Sequence, residues 1–144
     1  MSWQLLSYFV TGGSQLSNKG QILQVGGSPN FGVWQSGSSC DSLSGTREPS
    51  ALPPVEDLEE FDMLMGIMCR SINMKHQQEV MYGNLKTKRF VMSPHTFQKG
   101  WKTNQCYASL DHQDLPDGIF SIDKCTQGVP MAVSLPHFMH ADEW

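Results

Sequence analysis

The chain is patterned in short segments in which apolar and polar residues alternate. In the clearest segment, residues 129–135, the apolar positions are Val129, Met131, Val133 and Leu135, and the residues between them are smaller or polar. A period of two is typical of a β-strand with one buried face. Shorter patterns of the same kind predict strands at residues 5–10, 22–25, 31–34 and 119–122.

The middle of the chain predicts a hairpin and one short helix. Residues 70–92 form two alternating arms around Gly83 and Asn84, which both tolerate the positive φ of a tight turn. The acidic residues at 56–62 favour a helix N-terminus, and the apolar residues up to Met68 would continue that helix. Residues 35–54 and most of 93–118 are expected to be loops, because turn-forming residues are frequent there.

These elements predict a mainly β protein with short helices, barrel-like or sandwich-like. The length of 144 residues is about that of one domain, and the contents of 39% hydrophobic and 17% charged residues fit a globular protein. The net charge of -4 argues against a nucleic-acid partner, which would require a basic face. No apolar run approaches the roughly 20 residues that span a bilayer, and the N-terminus lacks the basic start of a secretory signal.

The four cysteines are far apart in the sequence, at Cys40, Cys69, Cys106 and Cys125. Structural zinc sites usually take their ligands in close pairs, so this spacing argues against zinc. An even number of widely spaced cysteines favours two disulfide bonds and an oxidising compartment, with four reduced thiols in a cytosolic protein as the alternative. Spacing alone leaves all three pairings open.

Reactive side chains do not converge on a catalytic pattern. His137 and His140 are the closest pair of histidines, and on a strand they would point to opposite faces. No nucleophile elbow, phosphate loop or zinc-protease motif is present. We therefore expect no enzymatic activity, no metal and no cofactor. The basic residues Lys86, Lys88 and Arg89 are interpreted as exposed hairpin charges rather than as an anion site.

Five stretches resemble the class B scavenger receptors, in the order that the family has them. They are "CDSLSGT", "MCRSI", "KRFVMSPHTF", "DGIFSIDKC" and "GVPMAVSLPHFMHAD". Members of that family have a transmembrane helix near each end and a large, glycosylated, disulfide-bonded, β-rich ectodomain between the two. The resemblance implies that residues 1–144 are a single partial domain, the middle of a barrel-like ectodomain. It also implies that the final strand pairs with strands elsewhere in the protein, although no asparagine here begins a glycosylation sequon.

The resemblance further implies two disulfides and a function. The family pattern pairs Cys40 with Cys106 and Cys69 with Cys125. Its members bind lipids, fatty acids, cholesterol or lipoproteins and pass lipid through an ectodomain tunnel, on the extracellular or luminal side of a membrane. We expect the plasma membrane rather than the lysosome. Residues that are candidates for the tunnel wall, and equally for ordinary core packing, are Phe90, Phe120, Val129, Met131, Val133 and Leu135.

Two other functions compete with a lipid receptor. A free-standing, secreted, disulfide-bonded binding module would also have this composition and these cysteines. A redox or hydrolytic enzyme would require the cysteines to be reduced. The sequence favours the receptor over both, because five motifs in the order of one family are more specific than any composition.

Overall fold

The computed structural model describes residues 7–9, 19–46, 58–107 and 115–142, which are dominated by short strands. The prediction of a mainly β protein with short helices is confirmed. The strands are β1 (Ser7–Phe9), β2 (Ile22–Val25), β3 (Glu60–Met65), β4 (Arg70–Tyr82), β5 (Leu85–Met92), β6 (Ile119–Ser121) and β7 (Ala132–Ser134). Short 3-10 helices lie at Gly66–Met68, Lys102–Tyr107 and Pro136–Phe138.

These strands form three sheets, β1–β2, β3–β4–β5 and β6–β7. The chain divides into two compact units, each built from several separate segments. The first unit comprises Met1–Pro29, Leu43–Leu64 and Ser71–Ser93, and the second comprises Asn30–Ser42, Met65–Arg70 and Pro94–Trp144.

In the first unit, a short segment at Gly45 and Thr46 joins β2 to β3. The Ile22 backbone N–H donates to the Gly45 carbonyl (2.8 Å), and the Leu64 N–H donates to the Thr46 carbonyl (2.8 Å). Ile22 and Leu64 are buried together with Ile72 of β4, and they form the described core of this unit. Strand β2 has the predicted bounds, and β1 is the described part of the strand predicted at residues 5–10.

The predicted hairpin is confirmed as β4 and β5, which pair antiparallel from Met74 opposite Met92 to Tyr82 opposite Leu85. Of the two turn residues, Gly83 and Asn84, only Gly83 has a positive φ (60°). The first central residue of a type II′ turn has such a φ. One bulge between His76 and Gln78 adds a residue to β4. The hairpin forms because two alternating arms meet at a glycine that can adopt this turn.

The helix predicted at residues 56–68 is wrong for the part that the structure describes. Residues 60–65 are strand β3, and only Gly66–Met68 makes a helical turn. The acidic side chains find partners across the strands instead of at a helix N-terminus. Asp62 accepts hydrogen bonds from Asn73 (3.0 Å) and Ser44 (3.1 Å), and Glu60 lies 3.8 Å from Lys75. Residues 56 and 57 lie outside the described residues.

The strand predicted at residues 31–34 is also wrong, because a buried carboxylate captures the backbone there. Asp41 Oδ1 accepts the N–H groups of Val33 and Trp34, each at 3.1 Å. The Phe31 N–H donates to the Asp41 carbonyl at 2.7 Å. These bonds fold the segment into an irregular loop. Because the backbone N–H groups of Phe31, Val33 and Trp34 already have acceptors, they are not available to a neighbouring β-strand.

In the second unit, β7 pairs antiparallel with β6, and Phe120 lies opposite Val133. The expectation that the final strand has its partners elsewhere is therefore wrong for one of its two edges. A turn at residues 123–128 returns the chain onto β6, and Thr126 Oγ1 stabilises it by bonding to the Ile122 carbonyl (3.1 Å). The strand is shorter than predicted, and Pro130, which cannot donate to a ladder, lies before it.

The loops behave as predicted over the described residues. Residues 35–46 contain no strand beyond isolated bridges, and residues 93–118 contain one 3-10 helix, Lys102–Tyr107. Residues 47–54 and 108–114 of the predicted loops lie outside the described residues.

Candidate functional site

Two disulfide bonds connect distant parts of the second unit. Cys40 is bonded to Cys106, 66 residues away, with a Cα separation of 5.8 Å. Cys69 is bonded to Cys125, 56 residues away, with a Cα separation of 5.7 Å. These are the two pairs that the family resemblance implies. They connect segments of the second unit that no local turn could hold together.

Cys69 also fixes the position of a tryptophan. It ends the Gly66–Met68 helix in the left-handed region, with a φ of 45°. Its carbonyl accepts a hydrogen bond from Trp34 Nε1 at 2.6 Å. The indole packs edge-on against Tyr107 (5.0 Å between centroids), and the Lys124 ammonium lies 5.8 Å from its centroid. Trp34, Phe97, Tyr107 and Phe120 form the aromatic cluster of the second unit. The Cys69–Cys125 bond therefore fixes the residue whose carbonyl positions Trp34 in this cluster.

Arg70 lies at the centre of that aromatic cluster. Its guanidinium carbon is 4.3 Å from the Tyr107 centroid, 5.0 Å from that of Phe120 and 5.6 Å from that of Phe97. Arg70 Nη2 donates to the Thr96 carbonyl (2.6 Å) and to Asn104 Oδ1 (2.7 Å). Burial lowers the pKa of Arg70 from its ordinary value, and the nearby Tyr107 opposes this shift.

Sequence reasoning did not select Arg70 or Asn104 as notable residues. Arg70 lies inside "MCRSI", between a cysteine and the start of an apolar strand pattern. A charged residue in such a position is the signal that could have found it, because an unpaired arginine is rarely placed where its neighbours are buried.

The six candidates for the tunnel wall occupy different environments. Phe120 is buried in the aromatic cluster of the second unit, 5.7 Å from both Trp34 and Tyr107. Phe90 is half-buried in the first unit, where it packs on Phe61 (5.2 Å) and His76 (5.7 Å). Both rings therefore have protein neighbours on at least one side.

The remaining candidates lie in or beside β7, in the second unit. Val133 and Leu135 are half-buried, whereas Val129 and Met131 are 51% and 46% exposed. Two further apolar residues follow the strand, Phe138 (60% exposed) and Met139 (53% exposed). We call Val129, Met131, Phe138 and Met139 the β7 flanks. The sequence analysis did not select Phe138 and Met139 as candidates for the tunnel wall. Their position was a usable signal, because large apolar residues directly after Leu135 and Pro136 have little local structure to pack against.

The backbone after β7 is held in an unusual conformation. His137, Phe138 and His140 all have a positive φ, of 55°, 55° and 61°. Residues other than glycine rarely adopt this backbone conformation. The Asp142 N–H donates to the Asp117 carbonyl (3.0 Å), so the end of this turn is anchored to the segment just before β6. A fixed turn thus presents Phe138 and Met139 to solvent.

The basic residues of the hairpin are mostly neutralised by acids of the first unit. Lys86 pairs with Glu79 at 2.9 Å, and Lys88 lies 3.7 Å from Glu59. The hydrogen bond from Lys86 lowers the pKa of Glu79. The interpretation of these residues as exposed hairpin charges holds for Lys86 and Arg89. It is wrong for Lys88, whose side chain is only 13% exposed and donates to the Leu58 carbonyl (3.3 Å).

The described part of the chain has neither a metal-binding cluster nor a membrane-spanning helix. No group of three or more histidine, cysteine or acidic side chains is placed to hold a metal ion. Among the same residues, no helix has the length and apolar character that crossing a membrane would require.

Comparison with known proteins defines the class of this chain. The sequence model of the CD36 family matches residues 6–144. The chain therefore belongs to the CD36 family, the class B scavenger receptors that its motifs resemble.

Its curated relatives include sensory neuron membrane proteins of moths. Sensory neuron membrane protein 1 of Antheraea polyphemus is 32% identical over 126 residues, which cover 85% of this chain and 23% of the relative. The protein of the same name from Plutella xylostella is 30% identical over 126 residues, covering 85% and 22%. The one from Helicoverpa assulta is 28% identical over 123 residues, covering 85% and 23%. The chain thus spans somewhat less than a quarter of the length of these relatives.

Proposed function

We propose that this chain is the middle segment of the ectodomain of a membrane-anchored scavenger receptor, which binds lipids or lipoproteins and passes lipid through the ectodomain. Membership of the CD36 family over residues 6–144 is the observation that carries this proposal. The relatives are named as membrane proteins of sensory neurons, which is consistent with a receptor anchored through helices that flank this segment.

Within such a receptor, the β7 flanks are the residues of this chain best suited to contact lipid. A fatty acid or a sterol offers mainly hydrocarbon, and its transfer from water is driven by about 25 cal/mol for each Å² of apolar surface that is buried. Val129 and Met131 present apolar side chains that the described residues leave exposed. Val133, in β7, and Leu135, directly after the strand, are half-buried.

The other two candidates for the tunnel wall, Phe120 and Phe90, are not part of the β7 flanks. Phe120 packs among aromatic rings and would support the strand pair β6–β7 from its buried side. Phe90 is a wall candidate within the first unit, where it packs on Phe61 and His76. The expected ligands are lipids, fatty acids, cholesterol or lipoproteins, and the expected location is the extracellular or luminal side of the plasma membrane.

Replacing Met131 by glutamate should reduce fatty-acid uptake by cells that express the full-length protein. A carboxylate in a hydrocarbon path costs several kcal/mol to desolvate, so we expect uptake to fall by about tenfold or more, the factor that corresponds to 1.4 kcal/mol. Uptake of a fluorescent fatty acid, normalised to the receptor counted at the cell surface, measures this effect.

Met81→Glu is the matched control, because Met81 is also an exposed methionine of a strand (63% exposed) but lies in the hairpin of the first unit. Uptake by this variant should equal that of the unmodified receptor. Equal uptake by all three proteins would remove β7 from the lipid path.

A further inference from the structure

Strand β5 carries a cluster of basic residues to which the proposed function assigns no role. The run from Lys86 to Arg89 reads Lys-Thr-Lys-Arg, and Phe90 follows it. The Lys86 side chain is 69% exposed, and Arg89 is exposed and has no ion pair among the described residues. Two adjacent cations, here Lys88 and Arg89, are what an endoprotease with an acidic substrate cleft recognises, because each cation meets a carboxylate of the cleft.

The backbone of β5 already has the conformation that such a cleft binds. An extended peptide is recognised by adding it as a strand to another protein, so that main-chain hydrogen bonds supply the affinity. Strand β5 is extended over Leu85–Met92 and follows β4 in the order β3–β4–β5. Within the described sheet it is therefore an edge strand, with one side open to a further strand.

The pairing of the hairpin is interrupted at the bond between Arg89 and Phe90. Phe90 lies opposite His76 and Arg89 lies opposite Gln78, so Gln77 has no partner on β5. A bulge of this kind disrupts the hydrogen-bond ladder locally. The two residues that flank this peptide bond are thus the pair between which regular pairing is broken.

The hairpin beyond the bulge is held weakly. The described part of β3 reaches only to His76, whose N–H donates to the Glu59 carbonyl (2.7 Å), and past that point the described hairpin has two strands. Its large apolar side chains, Met81, Tyr82 and Leu85, are 63%, 79% and 67% exposed. A two-stranded hairpin that buries little apolar surface is marginally stable in water, and such segments open locally before the core does.

Opening of the hairpin also releases Lys88. Its ammonium lies 3.7 Å from Glu59 Oε1 and donates to the Leu58 carbonyl at 3.3 Å. The Glu59 side chain is 76% exposed, and ion pairs with exposed partners contribute little to stability. Arg89, the residue directly before the interrupted bond, is exposed without any opening.

We propose that the Arg89–Phe90 peptide bond is a processing site for an endoprotease that recognises Lys-Arg in the secretory pathway. Hydrolysis adds one water across the bond. The carbonyl carbon of Arg89 receives the hydroxyl and becomes a new C-terminal carboxyl group, and the nitrogen of Phe90 receives the hydrogen and becomes a new N-terminus. The proposal depends on the disulfides, which indicate an oxidising compartment, and not on lipid binding.

The two disulfides would keep the cleaved protein together. Cys40 and Cys69 precede the bond, and their partners Cys106 and Cys125 follow it. Both bridges therefore span the cut and connect the two products covalently. The cleaved protein should migrate as one band on a gel without reductant and as two bands after reduction.

Co-expression of the full-length protein with a dibasic-specific, subtilisin-like endoprotease of the secretory pathway tests the proposal. The purified protein is compared on gels with and without reductant. We expect two fragments after reduction only, and the amino-terminal sequence of the second fragment should begin Phe-Val-Met. A protein that stays one chain after reduction, or whose new N-terminus is a residue other than Phe90, would overturn the proposal.

Two substitutions test the recognition itself. Arg89→Gln removes the cation next to the cut and keeps an exposed polar side chain, so the cleaved fraction should fall at least tenfold. Lys75→Gln is the matched control, because Lys75 is a cation of the same hairpin with 62% of its side chain exposed, and this variant should be cleaved like the unmodified protein. Undiminished cleavage of Arg89→Gln, or loss of cleavage in both variants, would contradict the assignment.

Discussion

Replacing Cys125 by serine is expected to leave Cys69 as a reactive thiol and to lower the free energy of unfolding by about 4 kcal/mol. That value follows from the chain-entropy model for a loop closed across 56 residues. The damage should spread beyond the bond itself, since Cys69 has a left-handed backbone and its carbonyl anchors Trp34. We expect the variant to be retained in the secretory pathway, as proteins with an unpaired cysteine and reduced stability are.

The matched control is the double variant Cys69→Ser with Cys125→Ser. It should unfold at nearly the same midpoint as the single variant, because the two cysteines act as one unit. Maleimide labelling of the denatured proteins should detect one thiol in the single variant and none in the double variant. A non-reducing peptide map that joins Cys40 to Cys69 would refute the pairing, and surface levels of Cys125→Ser equal to those of the unmodified protein would refute its importance.

Replacing Gly45 by alanine should destabilise the first unit by roughly 2 to 5 kcal/mol, the sum of a left-handed backbone penalty and a packing clash. Gly45 has a φ of 85°, and a Cβ there would lie 2.0 Å from the Asp62 carbonyl oxygen. The obstructing atoms belong to the backbone of β3, which cannot swing aside as a side chain does. The neighbouring bonds from Ile22 to Gly45 and from Thr46 to Asp62 (2.9 Å) would be lost or lengthened.

Gly27→Ala is the control that measures only the cost of the left-handed backbone, without a packing clash. Gly27 belongs to the same unit and has nearly the same φ of 84°, but a Cβ there would meet nothing within 4 Å. This variant should lose only about 1 to 2 kcal/mol. Thermal unfolding of the two variants in the full-length protein measures the difference. Equal midpoints would show that the close approach of Gly45 to Asp62 does not contribute to stability.

Local patterns in the sequence were sufficient for elements that are stabilised by their own neighbours. The hairpin of β4 and β5 follows from two alternating arms and one glycine that can take a positive φ. Strand β2 follows from a short apolar run between turn residues. In both cases the interactions that decide the structure lie within a few residues of each other.

The two wrong elements were decided by distant partners instead. The run of acids before Met63 resembles a helix start, but Asp62 finds Asn73 and Glu60 finds Lys75 across the sheet. The segment at residues 31–34 has strand-like residues, yet the Asp41 carboxylate takes the N–H groups of Val33 and Trp34. Propensity is a weak guide wherever a tertiary hydrogen bond competes for the same backbone.

Only part of the candidate site could be predicted from the sequence. Family motifs implied the pairs Cys40 with Cys106 and Cys69 with Cys125, which spacing could not select. The environment of Arg70 is created by Thr96 and Asn104, which are 26 and 34 residues away. No short window of sequence contains that information, and the exposure of Phe138 and Met139 likewise depends on how the chain folds after β7.

Lipid contact at β7 is the part of the proposed function that this chain can test most directly. A fatty acid that carries a photoreactive diazirine in its acyl chain would be added to the full-length receptor, irradiated and mapped by mass spectrometry. We expect adducts on the peptide that contains Val129 and Met131, and we expect an excess of unmodified fatty acid to remove them. Adducts that resist this competition, or that appear on the peptide with Met81 and not on that of Met131, would contradict the assignment of β7 to the lipid path.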